Sequence, residues 1–255
     1  MTPDSFYDGG KYQEILLSLE RVEEMVDAGV DIIDVGGESS RPGAAPVGAE
    51  EELERILPLI KAVLAHDPGL ILSVDTYKPE VAAEVLNAGV LIINDIYGLR
   101  KTGMAEVIAA HGAGCVIMHM QGEPHNMQEA PFYDDVVEEV LGFLEKQANF
   151  ALSKGIRENQ IALDPGIGFG KRLEVNLKLI KHIDRFKILG FPVLIGASRK
   201  SLIGKILGND LQDRKNGSII LHTLALIQGA DIIRVHDFNE SAEIIQIISA
   251  LDNLT

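Results

Sequence analysis

The sequence predicts an α/β fold, a single-domain (β/α)8 TIM barrel that spans residues 1–255. Seven short apolar runs alternate with amphipathic stretches, and runs that are apolar on both faces are typical of strands in a covered parallel sheet. The runs recur about every 33 residues, so eight units would need about 267 residues, close to the usual size of a barrel. An open, doubly wound sheet is the alternative.

The predicted strands lie where apolar and β-branched residues cluster. In order, they are 32–35, 70–74, 91–93, 115–118, 161–163, 193–195 and 232–235. A loop-like segment and a helix precede the first of them, so we expect the barrel's own first strand to lie before Met1. One strand with a lead-in would start the natural protein roughly 10–25 residues earlier. Without that strand two sheet edges are unpaired, and we expect poor solubility and little activity.

Helical periodicity fills the stretches between the strands. One face of the first stretch carries Ile15, Leu19, Val22 and Val26. Residues 134–154 and 213–230 show similar periodicity. Glycines shortly before a strand are expected to close helices in a left-handed conformation, and they are Gly29, Gly89, Gly155 and Gly229. The acidic run Glu50–Glu52 is interpreted as the solvated first turn of a helix.

Composition excludes several classes of protein. The net charge of −15 disfavours nucleic acid or an anionic membrane as a partner, although a local basic pocket could still hold a small anion. The single cysteine, Cys115, excludes an internal disulfide and suits a reducing cytosol. No apolar run approaches 18 residues, and Met1–Asp4 does not have the pattern typical of a signal peptide. We therefore expect a cytoplasmic protein that binds small molecules.

Polar residues follow every predicted strand. They are Asp34, Asp75–Thr76, Asn94–Asp95, His119, Asp164, Ser198–Lys200 and Arg234–Asp237. Any one of them is more simply explained as a helix cap. All seven together are harder to explain that way, because barrel enzymes place their sites at the carboxyl ends of the strands.

Two chemical subsets stand out among these residues. Asp75, Asn94 and Asp164 could present acceptors and donors to a flat polar heterocycle, since a carboxylate accepts two parallel hydrogen bonds from a guanidine-like edge. Lys200 could point its charge at a carbonyl oxygen of the same ring.

The second subset is cationic. Arg41, Arg234 and His236 would lie at adjacent barrel positions and could hold a diphosphate. The alternative is that Arg41 and Arg199 pair with carboxylates at the rim.

Other candidates are weaker. The glycines of residues 166–170 lack the spacing of a dinucleotide-binding loop and are expected to let backbone approach a flat ligand closely. Met118 and Phe169 could wall an aromatic ligand or belong to the core. His119 and His125 have no spacing typical of a zinc site.

Two segments carry a family resemblance. Residues 2–10 and 34–43 closely resemble the two signatures of the dihydropteroate synthase family of pterin-binding barrels. The resemblance continues through 73–76, 93–95, 118–122, 164–171, 198–201 and 233–237, and so covers essentially the whole chain. It implies the condensation of 6-hydroxymethyl-7,8-dihydropterin diphosphate with 4-aminobenzoate, which gives 7,8-dihydropteroate and diphosphate. It also implies Mg²⁺ and a homodimer formed through helices near the carboxyl end.

The resemblance also assigns residue roles. The pterin would contact Asp75, Asn94, Met118, Asp164, Gly168, Phe169 and Lys200. The diphosphate would contact Ser40, Arg41, Arg234 and His236. The aminobenzoate pocket, where sulfonamides bind in this family, would contain Phe6, Asp8, Pro42 and Ser198. The catalytic residues would be Asp8, Arg41, Asp75 and Lys200. The family's magnesium-binding asparagine would precede Met1, so the resemblance assigns no metal ligand within this chain.

Two departures from the family and two alternatives accompany this interpretation. Ser40 stands where the family more often has threonine, and the hydroxyl group is kept. The other departure is that the family's magnesium-binding asparagine would precede Met1.

A pterin-binding methyltransferase acting between a methylated folate and a corrinoid would share the barrel and the carboxylates. A non-catalytic pterin-binding or assembly subunit is the alternative from another class.

Overall fold

The described part of the chain, residues 11–41, 43–208 and 214–252 of a computed structural model, contains seven short parallel strands. They are β1 (Ile33–Gly36), β2 (Leu72–Asp75), β3 (Ile92–Asp95), β4 (Gly114–Met118), β5 (Ile161–Asp164), β6 (Leu194–Ile195) and β7 (Ile232–Ile233). Each lies within or beside one of the predicted apolar runs, so the strand predictions are confirmed.

The strands pair in chain order without reversal. β1 to β5 form one sheet in the order β1-β2-β3-β4-β5, and β6 pairs with β7. A parallel bridge between Leu163 and Val193 joins the two groups. Each strand pairs with the next one along the chain, as in a barrel, whereas the order of a doubly wound sheet reverses. The (β/α)8 class is confirmed, and the expectation of a strand before Met1 stays a prediction.

Helices occupy the connections between the strands. They are α1 (Lys11–Asp27), α2 (Ala49–His66), α3 (Pro79–Asn87), α4 (Met104–His111), α5 (Val136–Ser153), α6 (Leu173–Lys181), α7 (Ile183–Lys187), α8 (Ser201–Leu207), α9 (Lys215–Ile227) and α10 (Phe238–Asp252). Asp135 caps α5 by accepting hydrogen bonds from the amides of Val137 and Glu138 at 3.1 and 3.4 Å. None of the helices in these described ranges is long and apolar enough to cross a membrane.

The core lies between the strands and the helices. Val74, Ile93 and Ile117 on the strands are fully buried, as are Ile60 on α2 and Leu144 on α5. All four glycines predicted to close helices have positive φ angles, between 80° and 108°. These helix ends therefore follow from local backbone chemistry.

Two details of the helix predictions are wrong. On α1, Val22 is buried as expected, but Val26 is exposed and Met25 packs against the core in its place. Glu50–Glu52 does form the first turn of α2, yet Glu52 is fully buried and not solvated. Its burial is possible because the ammonium of Lys78 pairs with it from the loop after β2.

Candidate active site

The polar residues predicted to bind a heterocycle meet at one edge of the sheet. Asp75, Asn94 and Asp164 lie at the carboxyl ends of β2, β3 and β5. The strand register pairs Asp75 with Asn94, and Met118 with Asp164. Because parallel strands end together, their terminal side chains face the same mouth of the barrel.

Asn94 carries an unsatisfied acceptor at this edge. The residue is 5% exposed, and its Oδ1 atom is buried without a hydrogen-bond partner among the described residues. Nearly all buried polar atoms in proteins are hydrogen-bonded, because leaving one unpaired costs about 1–3 kcal/mol. An Asn94 oxygen in this condition is suited to a donor supplied by a ligand.

Asp164 is a buried carboxylate with one oxygen atom hydrogen-bonded to the protein backbone. Its Oδ1 atom accepts a hydrogen bond from the amide of Gly166 at 2.7 Å. Burial raises the pKa of Asp164, while the ammonium of Lys200 opposes that rise. The negative charge at this position therefore depends on nearby cations and donors.

Lys200 contacts the loop after β5. Its ammonium donates to the carbonyl of Ile167 and lies 4.4 Å from the centre of the Phe169 ring. Burial lowers the pKa of Lys200 to about 8, although Asp164 acts in the opposite direction. The predicted positive charge is present beside Asp164, but one of its hydrogen bonds is made to the protein itself.

Arg234, predicted to contact a diphosphate, forms ion pairs with two aspartates. Its guanidinium lies 2.6 Å from Asp34 Oδ2 and 3.1 Å from Asp75 Oδ2, and so connects the residue after β7 with β1 and with the end of β2. Asp34 beside it raises the pKa of Arg234, and burial raises the pKa of Asp75 even though Arg234 opposes the rise. The Arg234 side chain is 41% exposed, so water partly screens these two ion pairs. Its Nη1 group donates to no other residue in the described ranges.

Ser198 and His236 form a direct contact between two predicted subsites. The hydroxyl of Ser198 lies 2.9 Å from His236 Nδ1 and accepts the His236 amide at 3.2 Å. Burial and then Arg234 lower the pKa of His236 to about 4, so the imidazole is neutral at pH 7. The neighbouring Arg199 pairs bidentately with Asp237, at 2.5 and 3.1 Å, which confirms the rim-pairing alternative for that arginine.

The loop after β1 carries Ser40 and Arg41. Arg41 is exposed, and within the described residues it forms no ion pair, so the rim-pairing alternative is not observed for it. Phe6, Asp8 and Pro42, assigned to the aminobenzoate pocket, lie outside the described residues.

Met118 and Phe169 belong to a small apolar cluster beside the site. The cluster contains Ile96, Tyr97, Met118, Met120 and Met127, with Tyr77 and Phe169 packed against it. Met118 is therefore both a buried core residue and, through its register with Asp164, a neighbour of the polar edge.

The glycine loop, residues 166–170, packs closely against other parts of the protein. A Cβ atom at Gly166 would lie 1.9 Å from the carbonyl oxygen of His119, and one at Gly170 would lie 2.4 Å from that of Gln121. At Gly168 it would lie 2.9 Å from Lys200 Cδ. In the structure the groups that lie close to these glycines come from the β4 loop and from Lys200. The close approach of this backbone to a flat ligand stays a prediction.

Sequence reasoning missed a charged cluster at the base of the loop after β1. Lys78 contacts both Glu38 and Glu52, and the Tyr77 hydroxyl donates to Glu38 Oε1 at 2.9 Å. Burial raises the pKa of Glu52, whose Oε1 atom is unpaired among the described residues. Glu38 also accepts the amide of Val47 at 3.3 Å, so the cluster ties together both ends of the loop that carries Ser40 and Arg41.

Comparisons with known proteins agree on one family. The family described as pterin binding enzyme matches residues 1–236. Dihydropteroate synthase of Escherichia coli (strain K12) is 44% identical over 250 residues, which cover 98% of this chain and 88% of that protein.

Two solved structures are similar along nearly the whole chain. Dihydropteroate synthase of Xanthomonas albilineans with 4-aminobenzoic acid has a TM-score of 0.92 and 40% identity, covering 100% of this chain and 91% of that one. The enzyme of Thermus thermophilus in complex with 6HMPPP has a TM-score of 0.82 and 44% identity, covering 92% and 88%.

Proposed function

Because the chain belongs to the pterin-binding enzyme family, we propose how its residues carry out the reaction of that family. The chain is a transferase that condenses 6-hydroxymethyl-7,8-dihydropterin diphosphate with 4-aminobenzoate, giving 7,8-dihydropteroate and diphosphate in folate biosynthesis. The roles of individual residues, the metal and the oligomeric state are the proposal.

The assignment of the pterin site depends on the Oδ1 atom of Asn94, which lies between Asp75 and Asp164 and has no hydrogen-bond partner among the described residues. A pterin ring has a guanidine-like edge with two parallel donors, and a carboxylate accepts both at once. We assign that edge to Asp164, a ring N–H to Asn94, and the carbonyl oxygen of the ring to Lys200. Met118, Gly168 and Phe169 would then contact the faces of the ring.

The diphosphate is assigned to Arg41, Arg234 and His236, with Ser40 as a hydroxyl donor. Arg234 retains an Nη1 group that no described residue occupies, while Asp34 and Asp75 hold the rest of the guanidinium in place. Arg41 reaches in from its exposed loop. Cations placed where charge develops on a leaving group stabilise its departure.

In the proposed reaction, the bond between the pterin methylene carbon and the diphosphate oxygen breaks first, with both electrons leaving on the oxygen. Asp75 supplies negative charge near the resulting pterin cation, and Asp8 is proposed to do the same. The nitrogen of 4-aminobenzoate then forms a bond to the methylene carbon and loses one proton to the released diphosphate. A weakly nucleophilic aniline suits attack on a cation, and Ser198, with Phe6 and Pro42, is proposed to hold that substrate.

Mg²⁺ is proposed to accompany the diphosphate. Among the residues that the structure describes, no group of three or more histidine, cysteine, aspartate or glutamate side chains could hold a metal ion. Magnesium at phosphate sites is bound mainly by phosphate oxygens, water and one or two carboxylates. The described residues therefore do not make a metal site of their own, and no step above is assigned to the ion.

A homodimer through the carboxyl-terminal helices is also proposed. One face of α9 leaves Ile220, Leu224 and Ile227 exposed at 58%, 45% and 67%. An apolar stripe of this kind is typical of a surface that is covered by a partner. Light scattering at micromolar concentration should give a dimer, and Ile227→Glu should give a monomer. Ile188→Glu, at an equally exposed position outside the stripe, is the control.

We propose the cytoplasm as the site of action, because the buried free thiol of Cys115 suits a reducing compartment.

Two parallel incubations test the reaction against both alternatives. In the first, the protein is mixed with the pterin diphosphate, labelled 4-aminobenzoate and Mg²⁺, and the labelled products are separated. Formation of labelled dihydropteroate with an equal amount of diphosphate supports the assignment. The second incubation supplies a methylated folate and a corrinoid instead. Methyl transfer in the second incubation, or pterin binding without turnover in the first, would contradict the assignment.

A further inference from the structure

All five backbone carbonyls of the glycine loop, residues 166–170, accept hydrogen bonds from side chains. The donors are Lys171 to Gly166 and Phe169, both at 2.9 Å, Lys200 to Ile167, Gln128 to Gly168 at 2.8 Å, and Tyr133 to Gly170 at 2.9 Å. Glycine restricts the backbone less than other residues do, so a loop with three glycines depends strongly on contacts from outside it. These donors, together with Asn176 and Asp164, which accept the amides of Gly168 and Gly166, hold the loop in shape.

Lys171 makes the largest share of these contacts. The side chain is 3% exposed, and its amine also lies 2.9 Å from His119 Nδ1 and 3.2 Å from the carbonyl oxygen of His119. One nitrogen thus joins the end of β4 to two points of the glycine loop. A buried amine is stable only with such a full set of acceptors.

The loop that Lys171 holds is linked to the pterin site on both sides. The Gly166 amide donates to Asp164 Oδ1 at 2.7 Å, so a shift of Gly166 moves a partner of that carboxylate. Phe169, whose carbonyl Lys171 also binds, carries the ring that lies 4.4 Å from the Lys200 ammonium.

We propose that Lys171 is a positioning residue for pterin recognition, acting through the glycine loop and through Asp164. This rests on the function proposed above. Lys171 does not itself touch the substrate in this proposal. It fixes the distance between Phe169, which forms the wall of the pocket, and Asp164, whose carboxylate binds the pterin ring.

His119 offers a milder way to perturb the same contact. Burial and then Lys171 lower the pKa of His119 far below its usual range, so the imidazole is neutral and its Nδ1 atom can serve as the acceptor. The amide oxygen of an asparagine lies close to where Nδ1 lies in histidine. His119→Asn should therefore keep the contact with the amine, and His119→Leu should remove it.

The test is a steady-state comparison of Lys171→Met with wild type. We expect the KM for the pterin diphosphate to rise at least tenfold, while the KM for 4-aminobenzoate stays within twofold. Lys146→Met, an exposed lysine on α5, is the control and should leave both KM values unchanged. A general loss of folding would instead lower the active fraction without separating the two KM values.

The two His119 variants test the same proposal if Lys171→Met does not fold. His119→Leu should raise the pterin KM several-fold and His119→Asn should restore it. The proposal is overturned if Lys171→Met keeps the wild-type pterin KM, if both KM values rise in parallel, or if His119→Asn is no better than His119→Leu. A wild-type protein that forms no dihydropteroate would instead refute the function, which is a separate result.

Discussion

Replacing Asp164 with asparagine should weaken pterin binding without unfolding the protein. The Oδ1 atom of Asp164 accepts the Gly166 amide at 2.7 Å, and asparagine keeps that acceptor. The other carboxylate oxygen becomes an NH2 group, which would face a donor on the pterin edge. The substitution also removes a buried charge whose pKa is raised by burial, so it should cost the fold little.

The size of the effect follows from the burial of the site. Asp164 is 6% exposed, so an unmatched donor there cannot turn to water. An unpaired polar group in such a place costs about 2–3 kcal/mol, which corresponds to a dissociation constant about 30–150 times higher. Arg41→Ala should differ, because an exposed loop residue that completes the closed complex affects turnover more than pterin affinity.

Titration calorimetry with a 7,8-dihydropterin measures the difference. Asp164→Asn should show the weaker binding and a melting temperature within a few degrees of wild type. Asp134→Asn, an exposed aspartate just before α5, should match wild type in both measurements. Equal pterin affinities for wild type and Asp164→Asn would refute the assignment of this carboxylate.

Three further outcomes are expected. Because the pKa of His236 is lowered to about 4, its imidazole is neutral at pH 6, and binding of diphosphate should draw a proton onto it. Calorimetry in buffers of different ionisation enthalpy should show this proton uptake, and His236→Asn should abolish it. Burial lowers the pKa of His222 to about 4, so between pH 6.5 and 4 the unfolded chain binds a proton at this residue that the folded chain does not. His222 alone should lower the free energy of unfolding by about 3 kcal/mol over that range, and chemical denaturation should show that much less loss in His222→Gln. A sulfonamide should compete in steady-state kinetics with 4-aminobenzoate and not with the pterin diphosphate; competition with the pterin would contradict the placement of the aminobenzoate pocket.

The strands and the polar edge could be predicted because each depends on a short stretch of sequence. Runs apolar on both faces mark the buried strands, and the residue after each run falls at the carboxyl end. The sequence therefore predicts correctly that Asp75, Asn94 and Asp164 lie at the same edge of the sheet. The glycines that end helices, such as Gly89 and Gly155, follow from local backbone chemistry in the same way.

The pairings within the site could not be predicted, because they join residues far apart in sequence. Arg234 contacts Asp34 across 200 positions, and no local pattern distinguishes such a guanidinium from a free one. Glu52 has the sequence context of a solvated helix start, and only the approach of Lys78 from another element explains its burial. Lys171 follows a glycine run without any periodicity, so its contacts with His119 and the glycine loop become visible only in the folded chain.

A crystal structure of the protein with a bound 7,8-dihydropterin tests the proposed site most directly. The ring should lie at the carboxyl ends of β2, β3 and β5, with its guanidine-like edge on Asp164 and a ring N–H donated to Asn94 Oδ1. Density for the ring at another place, with Asn94 Oδ1 still unpaired, would contradict the assignment of this edge as the pterin site.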